Sequence, residues 1–230
     1  MGAVCALLLA GIAAGEAQYL DPRDEGPREL RFLSAGLAWR TFSPRASNPL
    51  AAGESIDLAA WMPMLGYRQG PVEVLFGYAP YTIRGARRST VHFGTTATFD
   101  LRIATPPAAV SIPLLVAADY TKAEATGPQR DNFNIACLGG GAGVKVQTGG
   151  EGVRGALQAG AIVQFAFEGL HTGTGVSTLL LGEGMIVIPS VPIADGLVVG
   201  YRFRWQQWSM SRSAFNYRAI THGVYLGVLL

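Results

Sequence analysis

The chain has 230 residues, 49% of them hydrophobic and 15% charged; soluble domains carry roughly 25% charged residues, so it is short of the polar surface a water-soluble globule needs. The formal net charge of +2, with no basic patch interleaved by aromatics, excludes a nucleic-acid binder. Beyond the N-terminus no run reaches the roughly 18 uninterrupted apolar residues of a membrane-spanning helix, which excludes a helical membrane protein.

The chain opens on an apolar stretch from Gly2 to Ala14, and Gly15-Glu16-Ala17 places small residues three apart before Gln18. This predicts a secretory signal peptide over residues 1–17, although its first residues lack the usual Lys or Arg. Cys5 would leave with it, so Cys137 has no partner for an intramolecular disulfide and reads as a small apolar wall residue. Residues 18–29 (QYLDPRDEGPRE) are charged, hold two prolines and show no period; they are expected to form a periplasmic lead-in to one domain over residues 30–230.

That domain reads as strands throughout. Side chains of a strand point alternately to opposite faces, and the stretch 91–103 obeys this closely. Val91, Phe93, Thr95, Ala97, Phe99, Leu101 and Ile103 share one face, while His92, Gly94, Thr96, Thr98, Asp100 and Arg102 share the other. Ten candidates follow in order: Arg31–Phe42, Glu54–Tyr67, Pro71–Ile83, Thr90–Ile103, Ala109–Thr121, Asn132–Val146, Gly152–Phe167, Thr174–Ile188, Asp195–Trp208 and Asn216–Leu230. None sustains a helical period. Two segments resist the pattern. In the sixth, Phe133, Ile135 and Cys137 set an outward apolar phase that would put Lys145 in lipid unless the Leu138–Gly143 glycine run holds a bulge or sharp bend. In the eighth, both faces of Leu179–Ile188 are apolar apart from Glu183, so its inward face stays open.

The connections alternate too: those after odd-numbered strands, among them Ser43–Gly53 and Lys122–Asp131, are on the whole longer than those after even-numbered ones, such as Arg68-Gln69-Gly70-Pro71, Thr105-Pro106-Pro107 and Thr148-Gly149-Gly150-Glu151. Outer-membrane barrels show this phase, with short periplasmic turns, longer outer loops and both termini in the periplasm. An even strand number closes without a free edge, which matters because an unpaired backbone group in hydrocarbon costs several kcal/mol. Aromatics cluster near strand ends, including Trp39, Phe42, Trp61, Tyr67, Tyr78, Trp205, Trp208 and Tyr217, as expected for interfacial girdles. The fold class is therefore an all-β, antiparallel, up-and-down transmembrane barrel of about ten strands, or eight if two candidates merge. The structural alternative is a soluble lipocalin-like barrel with its apolar face turned inward.

The ninth segment, Leu197–Trp205, and the last, Thr221–Leu230, which runs to the final residue, resemble the closing strands of small bacterial outer-membrane β-barrel proteins, the group that holds the OmpA-like and OmpX-like barrels. The resemblance implies an outer-membrane location, contact with outer-membrane lipid, and a C-terminal strand read by the barrel-assembly machinery. That strand usually ends on an aromatic residue in the family, and here it ends on Leu230.

The face opposite the lipid is expected to collect Arg40, Asp57, Glu73, His92, Asp100, Arg102, Asp119, Arg154, Glu168, Arg202 and Arg204, with Gln158, Gln164 and Gln206 among them. In so narrow a lumen opposite charges should pair across the interior and close it, giving a structural or surface-interaction role. One alternative is a narrow pore or solute-binding barrel whose charges set selectivity. Another is a hydrolase acting on lipid A or peptides, with His92 placed near the outer rim, His171 in an outer loop and Glu168 beside it. No motif of such an enzyme surrounds these residues, and Ser177 or Thr174 as nucleophile has no support from spacing, so no enzymatic activity is expected. No metal-ligand spacing, Walker loop or dinucleotide fingerprint occurs, so no cofactor is expected.

Overall fold

The computed structural model describes residues 30–49, 55–83, 85–104, 108–125, 132–148, 152–168, 173–191 and 194–230. Residues 1–29, where a signal peptide and a lead-in are expected, and His171 lie outside these residues, as do parts of several connections. Ten strands run in chain order: β1 Arg31–Pro44, β2 Leu58–Gln69, β3 Val72–Ile83, β4 Ala86–Ala104, β5 Ala108–Ala123, β6 Phe133–Thr148, β7 Arg154–Glu168, β8 Thr174–Val191, β9 Ala194–Met210 and β10 Tyr217–Leu229. One 3-10 turn, Ser213–Phe215, precedes β10.

Each strand pairs antiparallel with its chain neighbours, and β1 pairs with β10 from Phe32↔Leu229 to Pro44↔Tyr217, which closes the ring. Closure leaves no edge strand, so every ladder finds its backbone partner within the wall. The ten-strand count holds and the merged eight-strand alternative does not. The rim bearing Arg31 and Leu230 is the terminal end; the opposite rim is the far end. By the strand bounds, connections 45–57, 124–132, 169–173 and 211–216 join strands at the far end, whereas those at the terminal end are shorter: 70–71, 105–107 and 192–193, with 149–153 intermediate in length. The far-end connection after β3 departs from the expected alternation: β3 and β4 pair down to Ile83↔Ala86, and Gly85 takes φ +78°, a left-handed conformation that glycine adopts without strain.

Side chains alternate cleanly. Leu33, Leu37, Trp61, Leu65, Phe76, Leu101, Leu114, Val116, Leu157, Val163, Phe165, Val224 and Leu226 point outward and are exposed, while Phe32, Met62, Leu75, Leu115, Ile162, Leu179 and Val198 point inward and are buried. Val163 and Phe165 expose 62% and 71% of their surfaces on one strand, a degree of apolar exposure that water would penalise and hydrocarbon would not. No helix among the described residues is long and apolar enough to cross a membrane; the strands supply the apolar belt.

The glycine run in β6 needs no register shift. The β6–β7 pairing stays in step from Ile135↔Glu168 to Thr148↔Gly155. The glycines serve close approach instead, since a Cβ on Gly141 would collide with the carbonyl of Ala161 across the ladder. The β5–β6 pairing skips Ile112 and Pro113, where proline has no N–H to give. The one bulge along the ladders described here falls between Arg102 and Ala104 on β4.

Two orientations differ from the sequence reading. Phe133, Ile135 and Cys137 face inward at 0%, 0% and 3% exposure, so the same phase carries Lys145 into the lumen rather than into lipid. The aromatics are split as well: Trp39, Trp61, Tyr67, Tyr78, Tyr201 and Trp205 lie on the outward phase, with Trp39 and Trp61 edge to face at 5.2 Å, whereas Phe42, Trp208, Phe215, Tyr217 and Tyr225 are buried inside.

Candidate functional site

The inward side chains form three layers between the two ends. Toward the terminal end, beside an inward apolar cluster of Phe32, Met185, Val187 and Val198, two cross-strand pairs, Arg68↔Glu73 on β2–β3 and Glu183↔Arg202 on β8–β9, meet across the lumen. Arg68 Nη2 donates to Glu183 Oε2 at 2.5 Å and lies 3.1 Å from Glu73 Oε1; Arg202 Nη2 donates to Glu73 Oε1 at 2.5 Å and to Glu183 Oε1 at 2.9 Å. Tyr225 OH donates to Glu183 Oε1 at 2.8 Å, and the Arg202 guanidinium lies 4.4 Å from the centre of the Tyr225 ring. Two cations thus face two carboxylates, each side chain only 10–15% exposed. Lys145 Nζ pairs separately with Asp100 Oδ2 at 2.5 Å. These groups line a cavity of about 280 Å³ that reaches out to the exposed Arg102.

The middle layer is polar. Arg204 Nη2 donates to Asp119 Oδ1 at 2.5 Å, Gln164 Nε2 donates to Asp119 Oδ2 at 2.6 Å, and Gln206 Nε2 donates to Gln164 Oε1 and Ser177 Oγ at 3.1 and 3.2 Å. Arg40 enters from β1 and His92 from β4, both buried.

The far layer is apolar. Phe42, Phe133, Trp208, Phe215 and Tyr217 pack ring on ring, with centroid separations from 4.8 Å for Phe42–Tyr217 to 6.3 Å for Phe133–Phe215. Ile135, Cys137, Met62 and Ala79 complete the layer, and Trp208 Nε1 donates to Cys137 Sγ at 3.3 Å. This layer stands where the sequence suggested charge, and it explains why the apolar phase of Phe133, Ile135 and Cys137 in β6 points inward.

Above it, the first and last far-end connections are tied together. Asn48 Nδ2 donates to the Ala214 carbonyl at 2.9 Å, Asn216 Nδ2 donates to Ser47 Oγ at 3.1 Å, and the Ile56 N–H donates to Tyr217 OH at 3.1 Å. Just past β5, burial pushes the Glu124 carboxyl up, but the Ser89 N–H at 2.8 Å and the Lys122 ammonium at 3.3 Å outweigh it and hold the group below its ordinary value.

Of the expected lumenal residues, Arg40, Glu73, His92, Asp100, Arg102, Asp119, Arg154, Glu168, Arg202 and Arg204 all lie on the inward phase of their strands. They do not form one network. Glu73 and Arg202 belong to the terminal layer, Arg40, His92, Asp119 and Arg204 to the middle one, and Asp100, Arg102 and Arg154 stand toward the terminal mouth. Asp57 is a correction: it precedes β2 and is exposed, so it lies outside the lumen. His92 is a second correction, because it sits in the middle layer at 2% exposure rather than at the outer rim. Glu168 lies at the far end, where Oε1 accepts from Arg212 Nη1 at 2.8 Å, apart from the middle-layer His92; His171, the third residue of the hydrolase alternative, lies outside the described residues.

The sequence reading missed Arg68, Lys145, Glu183 and Tyr225. From the sequence Arg68 falls in a turn, Lys145 on the lipid phase, and Glu183 on a strand of unassigned face. A charge-first rule would have found the last two, because an ion inside an apolar strand fixes the inward phase more strongly than neighbouring apolar residues fix the outward one.

No family model matches the chain. No curated protein matches it either. Among solved structures it is similar to neisserial surface protein A, with 11% identity, a TM-score of 0.30, and coverage of 87% of this chain and 97% of that one. It is also similar to Ail, the attachment invasion locus protein of Yersinia pestis, crystallised with the heparin analogue sucrose octasulfate, with 10% identity, a TM-score of 0.26, and coverage of 88% and 99%. At these identities, function is read from this chain's own residues.

Proposed function

We propose that the chain is a bacterial outer-membrane barrel whose lumen is closed to solutes and whose working surface is the far-end rim. The observation that carries this is the stack of Phe42, Phe133, Trp208, Phe215 and Tyr217, which fills the far part of the lumen and leaves the cavity beneath it a blind vestibule. A selective pore needs a continuous wet path lined by charge, and here the path ends at the Arg204 and Asp119 layer. The rim is built to hold a shape, because Asn48 and Asn216 lock the first and last connections to each other. A rigid wall that presents loops for contact uses this geometry in full, whereas a channel would use little of it. Under this reading the outward belt meets outer-membrane lipid, and β10, with Val224, Leu226 and Val228 exposed on its outward face, is the strand read by the barrel-assembly machinery.

The test is conductance of the refolded protein in planar bilayers. Insertion without discrete ion steps is the expected result; regular steps that change on Arg202→Ala or Arg204→Ala would overturn the closed lumen in favour of a pore.

A further inference from the structure

The blind vestibule toward the terminal end is lined by an ordered row. Read along the ladders, Arg102 pairs with Ser111, Ser111 with Lys145, Lys145 with Gln158, Gln158 with Glu183, and Glu183 with Arg202. Directly opposed residues of antiparallel strands stand about 4.5–5.5 Å apart at Cα, so the consecutive strands β4 to β9 set one continuous polar arc on the inner wall. Every residue of the arc lines the same cavity of about 280 Å³.

The cations of this cavity are answered with one exception. Arg68 and Arg202 face Glu73 and Glu183, Lys145 faces Asp100, and Arg204 faces Asp119. Arg102, exposed at the mouth, has neither a carboxylate nor a hydrogen-bond partner among the described residues. The β4 bulge falls immediately after it, and a bulge at a barrel rim re-aims the side chains around it. On the same lining, the Ser111 hydroxyl and the side-chain amides of Gln147 and Gln158 have no partner among the described residues, and Arg202 Nε is buried without an acceptor.

These open groups define what fits. One unanswered cation calls for one negative charge, and a phosphate dianion would bring a second with no match. An amino acid would bring an ammonium to a cavity whose described carboxylates are all engaged. Amides and hydroxyls both donate and accept, as sugar hydroxyls do, whereas an apolar body would leave them unanswered. The space is nearly twice the roughly 150 Å³ that holds a benzene ring, room for about a dozen non-hydrogen atoms.

We propose that the vestibule binds a small solute with one carboxylate and several hydroxyls, of the sugar-acid class, its carboxylate on Arg102 and its hydroxyls on Ser111, Gln147 and Gln158. The solute enters from the terminal end. The proposal rests on the closed lumen for the solute's fate alone: the Arg204 and Asp119 layer makes the vestibule a dead end, so the solute is held rather than passed.

The probe is sodium D-glucuronate, titrated calorimetrically into the refolded full barrel in detergent micelles at constant ionic strength. One saturable site is expected, and D-glucose, which lacks the carboxylate, and acetate, which lacks the hydroxyls, should each bind at least about tenfold more weakly. Arg102→Gln should weaken glucuronate by about tenfold, the low end for a hydrogen bond to a charged group because this guanidinium is exposed. The unfolding midpoint should not move with it, since Arg102 supports no partner. Gln158→Leu should weaken glucuronate and leave acetate unchanged. Crystals soaked in glucuronate should show it between Arg102 and Gln158. Acetate or inorganic phosphate binding as tightly as glucuronate, unchanged glucuronate binding by Arg102→Gln, or glucuronate found only outside the vestibule would overturn the site. Conductance is scored separately: a barrel that conducts and still binds glucuronate through Arg102 would sink the closed lumen and keep the site, whereas a silent barrel without saturable binding would do the reverse.

Discussion

Glu183→Gln should destabilise the barrel by about 3–5 kcal/mol, as expected when one member of a buried ionic network is removed and its partners stay charged. Glu183 accepts from Arg68, Arg202 and Tyr225, so no other side chain of the terminal layer answers as many donors. After the substitution Glu73 faces two guanidiniums alone, in a layer whose side chains are only 10–15% exposed and poorly screened. The check is reversible denaturant unfolding in lipid vesicles, followed by the shift in gel mobility between folded and unfolded forms. Lys145→Gln serves as the comparison: its partner Asp100 is 27% exposed and recovers solvation, so the loss should be clearly smaller. Equal losses from the two variants would mean that the terminal layer is not a coupled network.

Trp208→Ala should cost a comparable amount, about 3–5 kcal/mol, from lost burial and from the void left in a rigid layer. Trp208 is fully buried, lies 5.0 Å edge to face from Phe133 and 5.8 Å from Phe42, and donates to Cys137. The barrel should nonetheless stay silent in planar bilayers, because the Arg204, Asp119 and Gln164 layer still blocks the path below it. Unfolding measurements and conductance on one preparation check both halves. A loss under 1 kcal/mol, or the appearance of steps, would show that the aromatic layer is not packed as described or that it alone closes the lumen.

How much of this was legible in the sequence depends on what sits inside at each height. In β4 the inward face runs His92, Gly94, Thr96, Thr98, Asp100 and Arg102 against an apolar outward face, so alternation and orientation were both plain. In β6 the inward residues at the far end are Phe133, Ile135 and Cys137, because the lumen there is oily; a rule equating apolar with outward then assigns the wrong phase, and Lys145 looks misplaced when it is not. In β8 the ambiguity had the same origin, with Leu179 buried in one apolar cluster and Met185 and Val187 in another on the face that carries Glu183. Strand existence and order survive such a core since they depend on alternation and turn residues, not on which face is polar. The pairing of Arg68 with Glu183 could not be read at all, because a contact across a lumen between residues 115 apart leaves no local pattern.

The central claim is that hydrocarbon surrounds the outward face, and depth-resolved arginine substitution tests it most directly. Val163 pairs with Gly140 on β6, which pairs in turn with Val116 on β5 and so places it well inside the wall, whereas Val153, just before β7, stands at the terminal rim; the two are exposed to nearly the same degree, 62% and 61%. Folding free energy into lipid vesicles should fall by about 2–4 kcal/mol for Val163→Arg and by about 0–1 kcal/mol for Val153→Arg. Equal, near-zero costs at both positions would mean that water, not lipid, bathes this surface, and would contradict the account.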